Sequence, residues 1–137
     1  MFGKLFEKRK VIEADDPVFG RLSYDQDIWS HVPKKPAEGF MITVDASESG
    51  PTQLQRDFFQ KTRSSLSNFE RLARNFMRSR VEQGIDVSRL SVYSVEIGND
   101  DKCRRESFVL EMSDQKAIII HRVSFSGGKP VDYGFDD

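Results

Sequence analysis

The chain reads as an α+β domain, an antiparallel sheet of about five or six strands with one long helix packed across one face. Two observations predict it. One helical stretch, Thr52 to Gln83, stands between two groups of β-like segments, and those segments alternate apolar and polar residues with a period of two. A length of 137 residues suffices for a hydrophobic core without disulfides or metals. Residues 17–137 are therefore read as a single domain, with residues 1–16 as an N-terminal appendage.

Met1 to Asp16 offers a small apolar face in Phe2, Leu5 and Phe6, then the cations Lys8, Arg9 and Lys10 and the acids Glu13, Asp15 and Asp16. It is expected as a frayed end or as a first strand at the sheet edge. Val18 to Tyr24 reads as a short strand and Phe40 to Val44 as another, with Phe40, Ile42 and Val44 facing one way. Pro33, Lys34, Lys35 and Pro36 mark a loop between them. Trp29 enters twice, as a core seal beside Phe19 and Phe40 and as the start of a candidate contact loop, Trp29 to Lys35.

Pro51 and Thr52 open the helix, and Thr52 with Gln55 forms a capping box in which each side chain reaches an unpaired amide. Leu54, Phe58, Leu66, Phe69, Leu72, Ala73, Phe76 and Met77 recur at three- and four-residue steps and form one apolar stripe. Gly84 closes the element. About 45 Å of helix overreaches a small sheet, so a kink or overhang is expected, with Ser64, Ser65, Ser67 and Asn68 as the weak formers.

Leu90 to Ile97 carries apolar residues on both faces and reads as a central strand. Ser107 to Met112 and Ala117 to Phe125 flank Ser113-Asp114-Gln115-Lys116 and predict a hairpin. Gly127 and Gly128 turn the chain before Pro130, and Gly134 lets the tail bend so that Phe135 can dock.

Charged residues make up 31% of the chain with a net charge of −1, so no global field argues for nucleic acid or a bilayer. The single Cys103 rules out an internal disulfide. With no secretory h-region and no long apolar run, a cytoplasmic setting is expected. No Gly-rich phosphate loop, paired Cys ligands or G-x-S-x-G elbow occurs, and neither a cofactor nor a metal is expected. The acidic pairs Asp15-Asp16, Asp100-Asp101 and Asp136-Asp137 lack the spacing of a cation loop. His121, between Ile119 and Val123, reads as a strand histidine. Cys103 beside Lys102, Arg104 and Arg105 reads first as an idle thiol in an exposed hairpin connection and only second as a nucleophile that those cations could activate.

Charge is uneven along the chain. Thr52 to Gln83 holds Arg56, Lys61, Arg63, Arg71, Arg74, Arg78 and Arg80 against Asp57, Glu70 and Glu82, about +4, leaving −5 for the rest. Arg71, Arg74 and Arg78 fall on one ridge, which reads first as an ordinary solvated helix face and next as a surface suited to an acidic partner or, less well, to phosphates.

Phe19-Gly20-x-Leu22 with Trp29, Ile42-x-Val44-Asp45, Gly50-Pro51-Thr52 with Gln55 and Phe59, and Gly128-Lys129-Pro130-x-Asp132-x-Gly134-Phe135-Asp136 resemble a group of uncharacterised bacterial domains of unknown function. The resemblance runs from Pro17 onward. It implies a compact α+β domain and, since some members resemble immunity proteins of polymorphic toxin systems, immunity-type binding; it brings no catalytic residues.

The sequence reading is thus a non-enzymatic module that binds a protein partner, immunity-like or accessory. Its candidate contact residues are Arg71, Arg74 and Arg78, then Trp29, His31, Lys34 and Lys35. No membrane contact is expected, and a second copy pairing through a sheet edge is left open. The rivals are a small hydrolase or thiol enzyme using Cys103 or His121, and a nucleic-acid adaptor using the basic helix.

Overall fold

The computed structural model describes residues 12–35, 38–82, 84–114 and 119–136. One sheet runs through it, with eight strands whose spatial order is their chain order. These are β1 (Ile12–Asp16), β2 (Gly20–Asp25), β3 (Ile28–His31), β4 (Met41–Asp45), β5 (Ser91–Ile97), β6 (Phe108–Ser113), β7 (Ile120–Ser126) and β8 (Lys129–Asp136). Helices α1 (Gln53–Ser64) and α2 (Leu66–Met77) cross between β4 and β5, and α3 (Asp100–Arg104) joins β5 to β6.

The α+β class holds, and three details of the expectation are corrected. The described strands number eight rather than five or six, because β3 and β8 were read as loop and tail. Residues Gln26 and Asp27 both take positive φ, at 50° and 64°, the geometry of a two-residue hairpin turn usually written with Asn-Gly. Without that dipeptide the β2–β3 hairpin has no sequence flag. On the other edge, Gly127 and Gly128 (φ 60° and 76°) send the tail back along β7 as β8 instead of letting it bend away.

The sheet is also mixed. Every neighbouring pair is antiparallel except β4 and β5, which are parallel with Thr43 opposite Glu96 and Val44 opposite Ile97. Parallel neighbours need a crossover, and the helical stretch supplies it.

That stretch, thirdly, is two helices of 12 residues each and ends at Met77, short of Gln83, which lies outside the described residues. The break falls at Ser65 (φ −114°, ψ 18°), inside the serine-rich segment. Ser64 Oγ donates to the Lys61 carbonyl at 2.7 Å, and Thr62 Oγ1 to the Phe58 carbonyl at 2.9 Å. Hydroxyls that bond back onto the preceding turn compete with the helical ladder and bend it. The start is as expected: Thr52 and Gln55 form the capping box, at 2.9 and 3.1 Å.

Residues 12–16, assigned to an appendage, are the edge strand of the sheet, with Ala14 opposite Leu22; the remainder of that segment lies outside the described residues. Asp16 fixes this edge. Its carboxylate accepts the amides of Val18 and Phe19 at 2.9 and 3.0 Å and the Arg56 Nε at 2.8 Å, tying the β1–β2 turn to α1. Burial pulls its pKa up, but the two amides and Arg56 outweigh that and hold the carboxyl below its ordinary value.

The core lies between the helix pair and one face of the sheet. Leu22, Trp29, Val44, Val95, Leu110, Val123 and Phe125 from the strands meet Phe59, Ala73 and Met77 from the helices, all essentially solvent-free. Phe108 stacks on Phe125 at 4.7 Å, with Phe69 edge-on to both. Aromatic pairs at these spacings add to the burial of each ring, itself worth about 1.5–3 kcal/mol.

Candidate functional site

The predicted contact residues divide into two groups. Trp29 is 2% exposed, and its Nε1 donates to the Ser47 carbonyl at 2.8 Å; of its two readings, the core seal is the one observed, and a contact-loop role is corrected. His31 belongs to β3 rather than to a loop, and its Nδ1 lies 3.0 Å from the Arg21 carbonyl. Lys34 and Lys35 are exposed in the β3–β4 connection.

On α2 the ridge is broken in the middle. Arg74 turns inward: its guanidinium donates to the Leu90 carbonyl at 2.9 and 3.3 Å and bridges Glu70 at 3.3 Å. Arg71 and Arg78 stay exposed, each hydrogen-bonded to an asparagine one turn back, Asn68 and Asn75. The helix that was to present three cations therefore presents two.

Cys103 is not in an exposed hairpin turn. It sits in α3, buried, with its Sγ 3.5 Å from the Gly98 carbonyl. Burial, then Asp100, push the thiol up to about 11, so at neutral pH it is protonated and a poor nucleophile. The flanking Lys102, Arg104 and Arg105 point to solvent and do not reverse this.

His121 is buried on the helix side of β7, with Nδ1 2.7 Å from the Tyr133 hydroxyl. A cavity of about 270 Å³ reaches it from Asp86, Arg89 and Asp114. Its hydrogen-bond partner is a phenol whose own pKa is raised by burial, which does not make an activated nucleophile. Burial lowers the His121 pKa against a smaller upward pull from Asp114. A histidine shifted this way takes its proton first in the unfolded chain. Stability is accordingly level above the ordinary value of 6.5 and falls as pH drops below it. Asp16 acts in the same sense lower down, its contribution being present above 3.8 and lost as pH falls through its depressed folded value. Urea midpoints measured from pH about 7.5 to about 5.5 should fall with acid in the wild type and flatten in His121→Gln; an unchanged slope in that variant would assign the dependence elsewhere.

The face of the sheet away from the helices was not singled out in the sequence. Register places Glu13, Asp15, Asp25, Asp45, Glu96, Glu111, Asp132 and Asp136 on it, eight carboxylates, with Arg21, Arg122 and Lys129 as its three strand cations. Thr43, Glu96, Val109 and Ser124, neighbours in one cross-strand row, floor a hollow of about 470 Å³. Ile28, Asp45 and Val131 line its sides, with Lys102 and Arg105 at the α3 end.

At the centre, Arg122 donates to both oxygens of Glu96 at 2.9 and 2.7 Å and to Glu111 at 2.7 Å, while Ser94 Oγ donates to Glu111 at 2.8 Å. Two carboxylates share one guanidinium, so the network keeps a net negative charge; the hydrogen bonds that Arg122 donates to Glu96, against burial, raise its pKa and hold it charged. Arg21 is similarly shared by Glu13 and Asp15, at 2.8 and 3.3 Å. Asp45, Asp132 and Asp136 have no ion-pair partner among the described residues. The charge imbalance seen along the chain thus has a spatial side, since most of the strand acids stand on the face turned away from α1 and α2.

Among the described residues no helix is long and apolar enough to cross a membrane, and no His, Cys, Asp and Glu group has the arrangement of a metal site. Comparisons with protein-family models, curated proteins and solved structures find no match to the chain.

Proposed function

We propose that this chain is a non-catalytic protein-binding module that holds a cationic surface of its partner against the face of its sheet turned away from α1 and α2. One observation carries this reading: eight strand carboxylates share a sheet face with three strand cations, no helix among the described residues lies across that face, and a hollow on it, rimmed at one end by Lys102 and Arg105, is sized for protruding side chains. Complementary charge of this kind steers encounter and selects partners. An immunity-like or accessory role in the bacterial cytoplasm is the form such binding takes if the family resemblance holds. The exposed pair Arg71 and Arg78 is a weaker surface for an acidic partner, since Arg74 between them is occupied internally.

The test is a pair of amide NMR titrations, with an arginine-rich decapeptide and with its glutamate-rich counterpart. The cationic peptide should shift Thr43, Val109, Ser124 and their strand neighbours, and binding should weaken as ionic strength rises. The double variant Asp45→Lys, Asp132→Lys, made at exposed positions, should weaken it by about tenfold or more. Shifts confined to α2 with the glutamate peptide would instead assign the surface to Arg71 and Arg78.

A further inference from the structure

We propose that the partner is held as a ninth strand along the outer edge of β8, an inference that rests on the cationic-partner reading and specifies how that partner is gripped. β8 ends the strand order and pairs with β7 along one side; its other side has no strand partner among the described residues. Natural sheets guard such edges with short strands, charge, proline or bulges. The opposite edge is guarded: β1 has five residues, and its acids are tied down by Arg21. The eight-residue β8 has its proline and its bulge only at the start, beside the Gly127–Gly128 turn, and leaves residues 132–136 regular.

The side chains on this edge define the strand that fits. Asp132 continues the Thr43, Glu96, Val109, Ser124 row, and Asp136 lies two places beyond Gly134 on the same face. A neighbouring strand with lysine or arginine opposite both aspartates makes two cross-strand ion pairs, four residues apart. Opposite Gly134 no side chain interferes. On the helix side, Phe135 is 51% exposed beside the half-buried Tyr133, so the residues opposite them are apolar. The implied pattern is cation, apolar, any, apolar, cation. Main-chain hydrogen bonds supply the binding and the alternate side chains the selectivity. A second copy of this chain would bring two further aspartates against only Lys129, so charge complementarity favours a foreign cationic strand.

The probe is a blocked peptide built around Lys-Val-Ser-Val-Lys, compared with versions N-methylated at alternate residues in either phase, which keep the side chains but remove one row of amide donors. The unmodified peptide should bind at up to ~millimolar concentration and slow amide exchange across residues 131–136. Methylation in one phase should weaken binding about tenfold or more, as should the exposed double variant Asp132→Lys, Asp136→Lys. If the methylated peptides bind equally well and perturb Thr43, Val109 and Ser124 without protecting β8, strand addition fails while the cationic-partner reading stands. If neither this peptide nor the arginine decapeptide binds, both fail. A homodimer seen by sedimentation, with concentration-dependent protection of residues 131–136 in the absence of peptide, also overturns the proposal in favour of a second copy.

Discussion

Trp29→Ala should lower the unfolding free energy by about 3–5 kcal/mol, a third or more of what a domain of this size holds in reserve. The ring is 2% exposed on the helix side of β3, and Tyr24 packs on it at a centroid distance of 5.0 Å. Truncation leaves an unfilled volume and takes the indole donor from the Ser47 carbonyl, a bond of 2.8 Å that ties β3 to the segment leading into α1. Trp29→Phe keeps most of the apolar volume and should cost only about 1–2 kcal/mol. Because the chain has one tryptophan, emission reports this site alone, and it should be blue-shifted when folded and move to the red on unfolding. Denaturation of the alanine variant is followed by circular dichroism. A midpoint within about 0.5 kcal/mol of wild type would return Trp29 to the role of a surface contact.

The same residue marks how far the sequence carries. Its aromatic neighbours already placed Trp29 near the core, yet the strand that holds it was invisible, because Gln26 and Asp27 adopt the left-handed turn without the residues that usually announce it. The helix start was legible because a capping box is written within four residues. So was the break, whose serines stand in the sequence as poor helix formers, although their composition alone does not show that Ser65 separates two helices. The parallel pairing of β4 and β5 was implicit in a strand, a helical crossover and a strand, but an antiparallel sheet is the simpler default when the flanking segments alternate in polarity.

The acidic face was not legible for a different reason. Its carboxylates come from six of the eight strands, and the first and last of them, Glu13 and Asp136, stand at opposite ends of the described chain. Only the register of the whole sheet brings them to one side. The arginine ridge shows the converse. Spacing at i, i+3 and i+7 put Arg71, Arg74 and Arg78 on one line, but whether a guanidinium faces water depends on what the helix meets, and Arg74 meets the Leu90 carbonyl.

Gln55→Glu, a change of one amide to a carboxylate with no change of shape, should cost about 3 kcal/mol or more at neutral pH. The capping box uses only the Oε1 of Gln55, which accepts the Thr52 amide at 2.9 Å. Its Nε2 does something the sequence does not show, donating to the Asp45 carbonyl at 2.7 Å and the Gly98 carbonyl at 2.9 Å. Those carbonyls lie at the ends of the two parallel strands, so one buried amide joins α1 to both sides of the crossover. A carboxylate there keeps the cap but turns a second negative oxygen towards two acceptors, out of reach of water. Its pKa must rise in the folded state, so the penalty is full above that raised value and shrinks as pH falls towards about 4.3, where the unfolded chain titrates. The gap between variant and wild type, measured at the same pH, should therefore narrow between pH about 7 and about 4.5, since a protonated carboxyl can donate to one of the two carbonyls. Gln55→Leu loses the same two donors without adding charge; it should be destabilised by about 2–4 kcal/mol with no comparable dependence on pH. If Gln55→Glu unfolds at the wild-type midpoint at neutral pH, Gln55 acts only as a cap, and the parallel pair must be joined to the helix by other contacts.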